Sequence, residues 1–112
     1  MEWKQFNSVD LLNELLQASD NSPQIIFKHS TRCSISYMVL NRLRKNLPQA
    51  DYYMIDVIGN REISNTVAKH FNIMHQSPQL LIIYKGACIF NASHFSISSE
   101  LVKQEIDALQ LV

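Results

Sequence analysis

Phe27-Lys28-His29-Ser30-Thr31-Arg32-Cys33-Ser34-Ile35-Ser36 is the stretch on which the reading of this chain turns. It joins a short apolar run, Gln24 to Phe27, to an amphipathic run that begins near Cys33. Ile25-Ile26-Phe27 is β-prone and too short for a helix, so it predicts a buried central strand. In the second run Ile35, Met38, Val39, Leu43 and Leu47 recur at helical spacing, which predicts a helix ended by Pro48. A strand running into a helix puts Cys33 at the helix N-terminus, where unpaired backbone N–H groups and the positive end of the helix dipole meet. That position favours thiolate, the reactive form of cysteine. Where a dithiol protein would carry its second cysteine, three residues on, stands Ser36. The stretch predicts thiol–disulfide exchange by a single cysteine.

Outward from this stretch, the chain alternates strand and helix signals. Toward the N-terminus, Ser19-Asp20-Asn21-Ser22-Pro23 is a turn cluster. Before it, Val9, Leu12, Leu15 and Leu16 share a helical face, with Asn7 or Ser8 as cap and Asp10 in the first turn. Glu2 to Phe6 reads as a short edge strand anchored by Trp3. Toward the C-terminus, Tyr52 to Val57 is a second buried strand, and Gly59-Asn60 turns into a helix carrying Ile63, Val67 and Phe71. Leu80 to Tyr84 and Ala87 to Asn91 flank Lys85-Gly86 as a hairpin. Ser98 or Ser99 caps a last helix with Leu101, Val102, Ile106 and Leu109. Helix-bearing crossovers make the early strands parallel, and the hairpin makes the last pair antiparallel. The expected fold class is α/β, with a mixed central β-sheet flanked by helices on both faces.

The chain has 112 residues, 46% of them apolar, which fits one domain over 1–112 with a compact core. Lys+Arg and Asp+Glu balance at 10 each, which argues against a general binder of nucleic acid or of an anionic membrane. Met1-Glu2-Trp3-Lys4 does not open a signal peptide, and no apolar stretch approaches the ~20 residues of a membrane span. The expectation is a cytoplasmic protein. Its 2 cysteines form neither a secreted disulfide framework nor a four-ligand zinc site.

Several residues are candidates for the chemistry. Arg32, Lys28 and His29 are the cations nearest Cys33 in sequence and would support its thiolate. The competing view of Cys33 is a cysteine packed as a small hydrophobe, and the polar Ser30-Thr31-Arg32 lead-in makes that burial unnatural. The Ser36 hydroxyl would donate to the Cys33 sulfur from one helical turn away. Cys88 lies just past the hairpin turn, roughly 20 Å of strand from the Cys33 end at ~3.3 Å per residue, and is expected to be structural. A disulfide needs Cα atoms within roughly 7 Å, so no Cys33–Cys88 bridge is expected. The last strand should return His94 to the Cys33 end, where it and the helix start at Ser98 would meet an anionic ligand. His70 and His75 read as a helix residue and a loop residue without a role. Pro78 follows Ser77 just before a strand, and with only ~5–6% of X–Pro bonds cis in folded proteins, the residue alone favours trans.

This element order, with a cysteine after the second strand and a proline before the fourth, resembles the thioredoxin fold. The segment Lys28 to Ser36 resembles the active-site segment of the YtxJ-type monothiol bacilliredoxins, and Ser93-His94-Phe95-Ser96-Ile97 resembles the segment before that family's last helix. The family's usual Cys-Pro-Ile-Ser appears here with Ser34 in place of proline. The resemblance implies a cis Ser77–Pro78 bond facing the cysteine, with Ser77 presenting backbone groups to an extended substrate. It also implies an activity: removal of bacillithiol, a thiol carrying glucosamine and malate, from protein mixed disulfides. Cys33 would attack and take the bacillithiol, and a second bacillithiol or a bacillithiol disulfide reductase would free it. The readings from the residues and from the resemblance together give an expected site with Cys33 and Ser36 as catalytic residues and Thr31, Arg32, Ser77, Pro78 and His94 as substrate-binding residues, with no metal. No cofactor is tightly bound in this reading, and bacillithiol is a co-substrate.

Two other classes compete at this level. One is iron–sulfur cluster carriage as in monothiol glutaredoxins, whose cysteine is followed by Gly-Phe-Ser rather than the Ser-Ile-Ser found here. The other is a redox-silent adaptor on the same fold. Monothiol exchange with glutathione or coenzyme A disulfides is a third possibility within the catalytic class.

Overall fold

The computed structural model describes residues 2–110. Met1, Leu111 and Val112, the ends of the expected 1–112 domain, lie outside the described residues. In chain order the elements are β1 (Trp3–Gln5), α1 (Asp10–Ala18), β2 (Gln24–His29), α2 (Ser34–Leu43), β3 (Asp51–Asp56), α3 (Arg61–Phe71), β4 (Gln79–Tyr84), β5 (Ala87–Ser93) and α4 (Ser99–Asp107). A short 3-10 turn, His94–Ser96, which the sequence pattern did not announce, links β5 to α4. The strands form one five-stranded sheet in the order β1-β3-β2-β4-β5. β1, β3 and β2 run parallel, as their crossovers require; β4, which follows α3, runs antiparallel to β2, and the hairpin makes β5 antiparallel to β4.

β2 is the middle of the sheet, and all of its residues are buried. Its alternating side chains serve two cores. Ile26 packs with Leu12 and Leu15 of α1 and with Ile63 and Val67 of α3. Ile25 and Phe27 pack with Val39, Leu40 and Leu43 of α2 and with Val102 of α4. The helices therefore cover both faces in pairs, and truncating a central residue such as Ile26 to alanine would cost about 2–5 kcal/mol. Trp3 anchors the edge strand by edge contact with Tyr52, ring centroids 5.2 Å apart. No helix among the described residues is long and apolar enough to cross a membrane.

Local chemistry sets the corners. Lys85 and Gly86 both take positive φ, 51° and 77°, the geometry of a two-residue hairpin turn. Ser19 fastens that turn to the end of α1: its carbonyl accepts from Lys85 N–H at 2.7 Å and its Oγ from Gly86 N–H at 3.0 Å. Ser98 caps α4 by accepting from Leu101 N–H.

Three expectations are corrected. Val9 is 43% exposed, because it is the N-cap of α1 and lies before the first inward turn; Leu11 packs against the core instead. Met38 is 54% exposed, and the buried stripe of α2 is Ser36, Val39, Leu40 and Leu43. The stripe was misplaced by one position because its first member is a serine rather than an apolar residue. α2 also ends at Leu43, short of Pro48. Proline disfavours helical backbone in the residue before it, so Leu47 packs from an irregular segment rather than from a last turn.

Candidate functional site

Cys33 is the N-cap of α2, in extended backbone, and is partly exposed. Its N–H donates to the Ser30 carbonyl at 3.2 Å, closing a turn that lifts Thr31 and Arg32 into solvent. Its own carbonyl accepts from Tyr37 N–H at 3.4 Å, the first bond of the helix. The sulfur thus leaves the chain where β2 ends and α2 begins, as the strand-to-helix reading required.

Ser36 lies one turn along but faces inward and is fully buried. Its Oγ is 2.6 Å from His29 Nδ1 and accepts from Ser30 N–H at 3.1 Å. The hydroxyl therefore serves His29 and the turn before the helix, rather than donating to Cys33 Sγ. With Ser30 N–H filling one lone pair, the pairing that leaves no buried hydrogen unpaired has Ser36 donating to a neutral His29. His29 is buried between Phe27, stacked at 6.0 Å, and Tyr37, edge-on at 4.7 Å. Burial lowers its pKa, the Asp56 charge raises it and Arg44 lowers it again, with a net fall. His29 is not a standing cation for Cys33.

Lys28 is not one either, since it points to the opposite face of the sheet from α2. It is fully buried, its Nζ donates to the Ser64 carbonyl in α3 at 3.0 Å, and it lies 3.1 Å from His75 Nδ1. Ser64 Oγ is also 3.1 Å from that His75 nitrogen. Of the expected cations, exposed Arg32 alone remains beside Cys33 in the chain. A lysine directly after the apolar run Ile25 to Phe27 was the available signal for this cluster. His75 carried no signal, because its partner comes from a strand distant in sequence.

The Ser77–Pro78 bond is cis. β4 starts immediately after it, with Gln79 paired to Lys28 on one side and to Ser93 on the other. His94 follows in left-handed backbone, φ 55°, and its N–H donates to the Pro78 carbonyl at 3.0 Å. Pro78 and His94 therefore share the end of the sheet from which the chain leaves β2 for Cys33. Ser77 makes no hydrogen bond through its N–H, C=O or Oγ among the described residues, and its Oγ is buried. The segment before it is braced by Gln79: Nε2 donates to the Met74 carbonyl at 3.0 Å and Oε1 accepts from Gln76 N–H at 3.2 Å.

The start of α4 is elsewhere. Ser98, Ser99 and Glu100 line a cavity of about 340 Å³ with Arg42, Lys45 and Lys103. That cavity faces the far half of α2, so the helix start does not join Cys33 and His94 as expected. Cys88 pairs with Ile83, whose own partner is Gln24 at the beginning of β2. It sits at the opposite pole from Cys33, with its thiol pKa raised by burial, offset by backbone hydrogen bonds to Phe90 and Ile82. Both cysteines are free. Among the described residues no group of three or more His, Cys, Asp or Glu is placed to hold a metal ion.

Residues 4–102 match the model of a family described as monothiol bacilliredoxin BrxC. A solved structure described as a candidate oxidoreductase with a thioredoxin fold is 27% identical, with a TM-score of 0.81 and 90% of each chain covered. Thioredoxin from Trypanosoma brucei brucei is 14% identical at a TM-score of 0.76, over 97% of this chain and 92% of that one. Thioredoxin from Malassezia sympodialis is 15% identical at 0.73, over 96% and 90%. The fold is the thioredoxin fold expected from the order of the elements.

Proposed function

The chain belongs to the monothiol bacilliredoxin family, and from that premise we propose that it removes bacillithiol, or a similar low-molecular-weight thiol, from protein mixed disulfides with Cys33 as nucleophile. At the coarser level it is a thioredoxin-fold thiol oxidoreductase. The observation that supports the finer reading is that Cys33 caps α2 with no second thiol in reach. Ser36 occupies the next-turn position, and Cys88 lies at the other pole.

In this reading the Cys33 thiolate attacks the bacillithiol sulfur of the mixed disulfide. The Cys33–bacillithiol bond forms, the old disulfide breaks, and the substrate protein leaves as a thiolate that takes up a proton. A second bacillithiol thiolate then attacks the bacillithiol sulfur on Cys33, giving bacillithiol disulfide and free Cys33. Two electrons pass from the small thiols to the substrate, and Cys33 returns unchanged. No resident cofactor is needed; bacillithiol is the co-substrate, and a bacillithiol disulfide reductase is the partner that closes the cycle. Thr31 and Arg32 at the turn, Ser77 and Pro78 opposite, and His94 beside them form the substrate-binding set.

The test is to incubate the protein with the disulfides of bacillithiol, glutathione and coenzyme A and weigh the adducts. A bacillithiol adduct forming fastest supports the reading; a faster adduct with another thiol reassigns the co-substrate, and no adduct refutes exchange. A hydrogen bond to a charged group is worth roughly 1.5–3 kcal/mol, so Arg32→Ala or His94→Ala should slow bacillithiol removal by several-fold to a few tens of fold.

A further inference from the structure

Lys28 is a buried titratable group that this chemistry leaves unused. It occupies the central strand, 0% exposed, and no carboxylate pairs with it among the described residues. Burying an ammonium without a counter-charge costs stability, and a methionine would fill the same space without that cost. What the lysine adds is reach. Its Nζ ties β2 to the Ser64 carbonyl of α3 and to His75, an exposed residue two positions before Ser77.

A second tie on the same segment comes from the neighbouring strand. Gln79 is the cross-strand partner of Lys28, and its amide holds the Met74 carbonyl and the Gln76 N–H. Met74 and Gln76 are thus fixed through their backbone and His75 through its ring, while Ser77 keeps its N–H and C=O unpaired. An open backbone pair between a fixed segment and Pro78 is an edge prepared for an extended chain to bond to.

We propose that Lys28 is a positioning residue for exchange: through His75 and Ser64 it clamps the Met74–Ser77 segment so that Ser77 meets the peptide backbone of a protein substrate. This rests on the reading that Cys33 attacks a mixed disulfide carried on such a chain. A released segment would spend only part of its time in the competent arrangement, and apparent affinity falls by that fraction. The clamp therefore acts on substrate binding and not on the attacking sulfur. It matters for a peptide-borne disulfide and not for a small disulfide that has no backbone to pair.

The experiment compares wild type, Lys28→Met and His75→Ala on two substrates: a peptide bearing one cysteine as its bacillithiol mixed disulfide, and bacillithiol disulfide itself. Amide hydrogen exchange at Gln76 is measured in parallel and needs no turnover. A competent fraction reduced to a tenth raises KM for the peptide about tenfold in Lys28→Met, with kcat and the small-disulfide KM within about twofold. His75→Ala, which takes the ring nitrogen away from Lys28 and Ser64 but leaves the apolar core in place, should move the same KM in the same direction. Gln76 exchange should quicken by about tenfold in both variants while the β2 and β3 amides hold. Unchanged Gln76 exchange overturns the clamp. Faster exchange with an unchanged peptide KM, or an equal loss on both substrates, overturns its role in positioning. If wild type leaves the peptide disulfide intact, the exchange reading fails and the role of Lys28 with it, even where Gln76 responds.

Discussion

Cys33 and Cys88 differ in ways that a single reagent should register. Cys33 is partly exposed at a helix N-cap, whereas Cys88 sits on β5 with its thiol pKa raised by burial. Alkylation of the single-cysteine variants should be faster at Cys33 at neutral pH, because burial holds the Cys88 thiol pKa up; equal rates would contradict this. Cys33 was legible in the sequence because a strand-to-helix junction can be read from periodicity. The role of Ser36 was not, because its partner is fixed by which way the helix rolls. With Oγ bonded to His29 and Ser30, Ser36→Ala leaves both groups unpaired and should cost about 1–3 kcal/mol in stability, with Cys33 alkylation little changed. Urea unfolding beside the alkylation assay checks it; a stable variant with a slowed Cys33 would reverse the assignment.

Among the elements, β2 carries most of the consequences. The apolar run Ile25 to Phe27 announced a central strand, but the strand continues through Lys28 and His29, both buried. Sequence periodicity has no place for a charged residue there, because what accepts it, α3 and the segment before Pro78, arrives from farther along the chain. Burial brings the Lys28 amine down to about 8 from its ordinary 10.5. Below about 8 the amine is charged in both folded and unfolded chains, and the full penalty of burial applies. Between the two values the unfolded chain holds a proton that the folded chain has released, so this contribution to stability rises with pH. The wild-type stability relative to Lys28→Met should therefore improve by about 3 kcal/mol from pH 8 to pH 10.5, at roughly 1.4 kcal/mol per pH unit. Tyr52 and Tyr53, whose pKa values burial raises, act in the opposite direction above pH 10 but cancel in the difference. Urea unfolding of both proteins at three pH values checks this; a pH-independent difference would contradict it. The hairpin was easier to read, since Lys85-Gly86 supplies its own left-handed turn.

For the molecule as a whole, topology decides the chemistry. The crossover and hairpin pattern was enough to give the mixed sheet and to put the two cysteines at opposite ends of it. It could not give the 3-10 turn at His94–Ser96, or the turning of the α4 start toward Arg42 and Lys45, because both depend on how the last helix packs across α2. The register places Cys88 level with the beginning of β2 and Cys33 beyond its end, roughly 17 Å or more apart at ~3.3 Å per residue. No internal bridge can form across that distance without unfolding. A mixed disulfide on Cys33 must therefore wait for an external thiol. The most direct test is the intact and digested mass of the protein after reaction with bacillithiol disulfide, for wild type, Cys33→Ser and Cys88→Ser. One bacillithiol adduct on Cys33, lost in Cys33→Ser and kept in Cys88→Ser, is the predicted result; an adduct on Cys88, or a dominant Cys33–Cys88 peptide, would contradict the monothiol account.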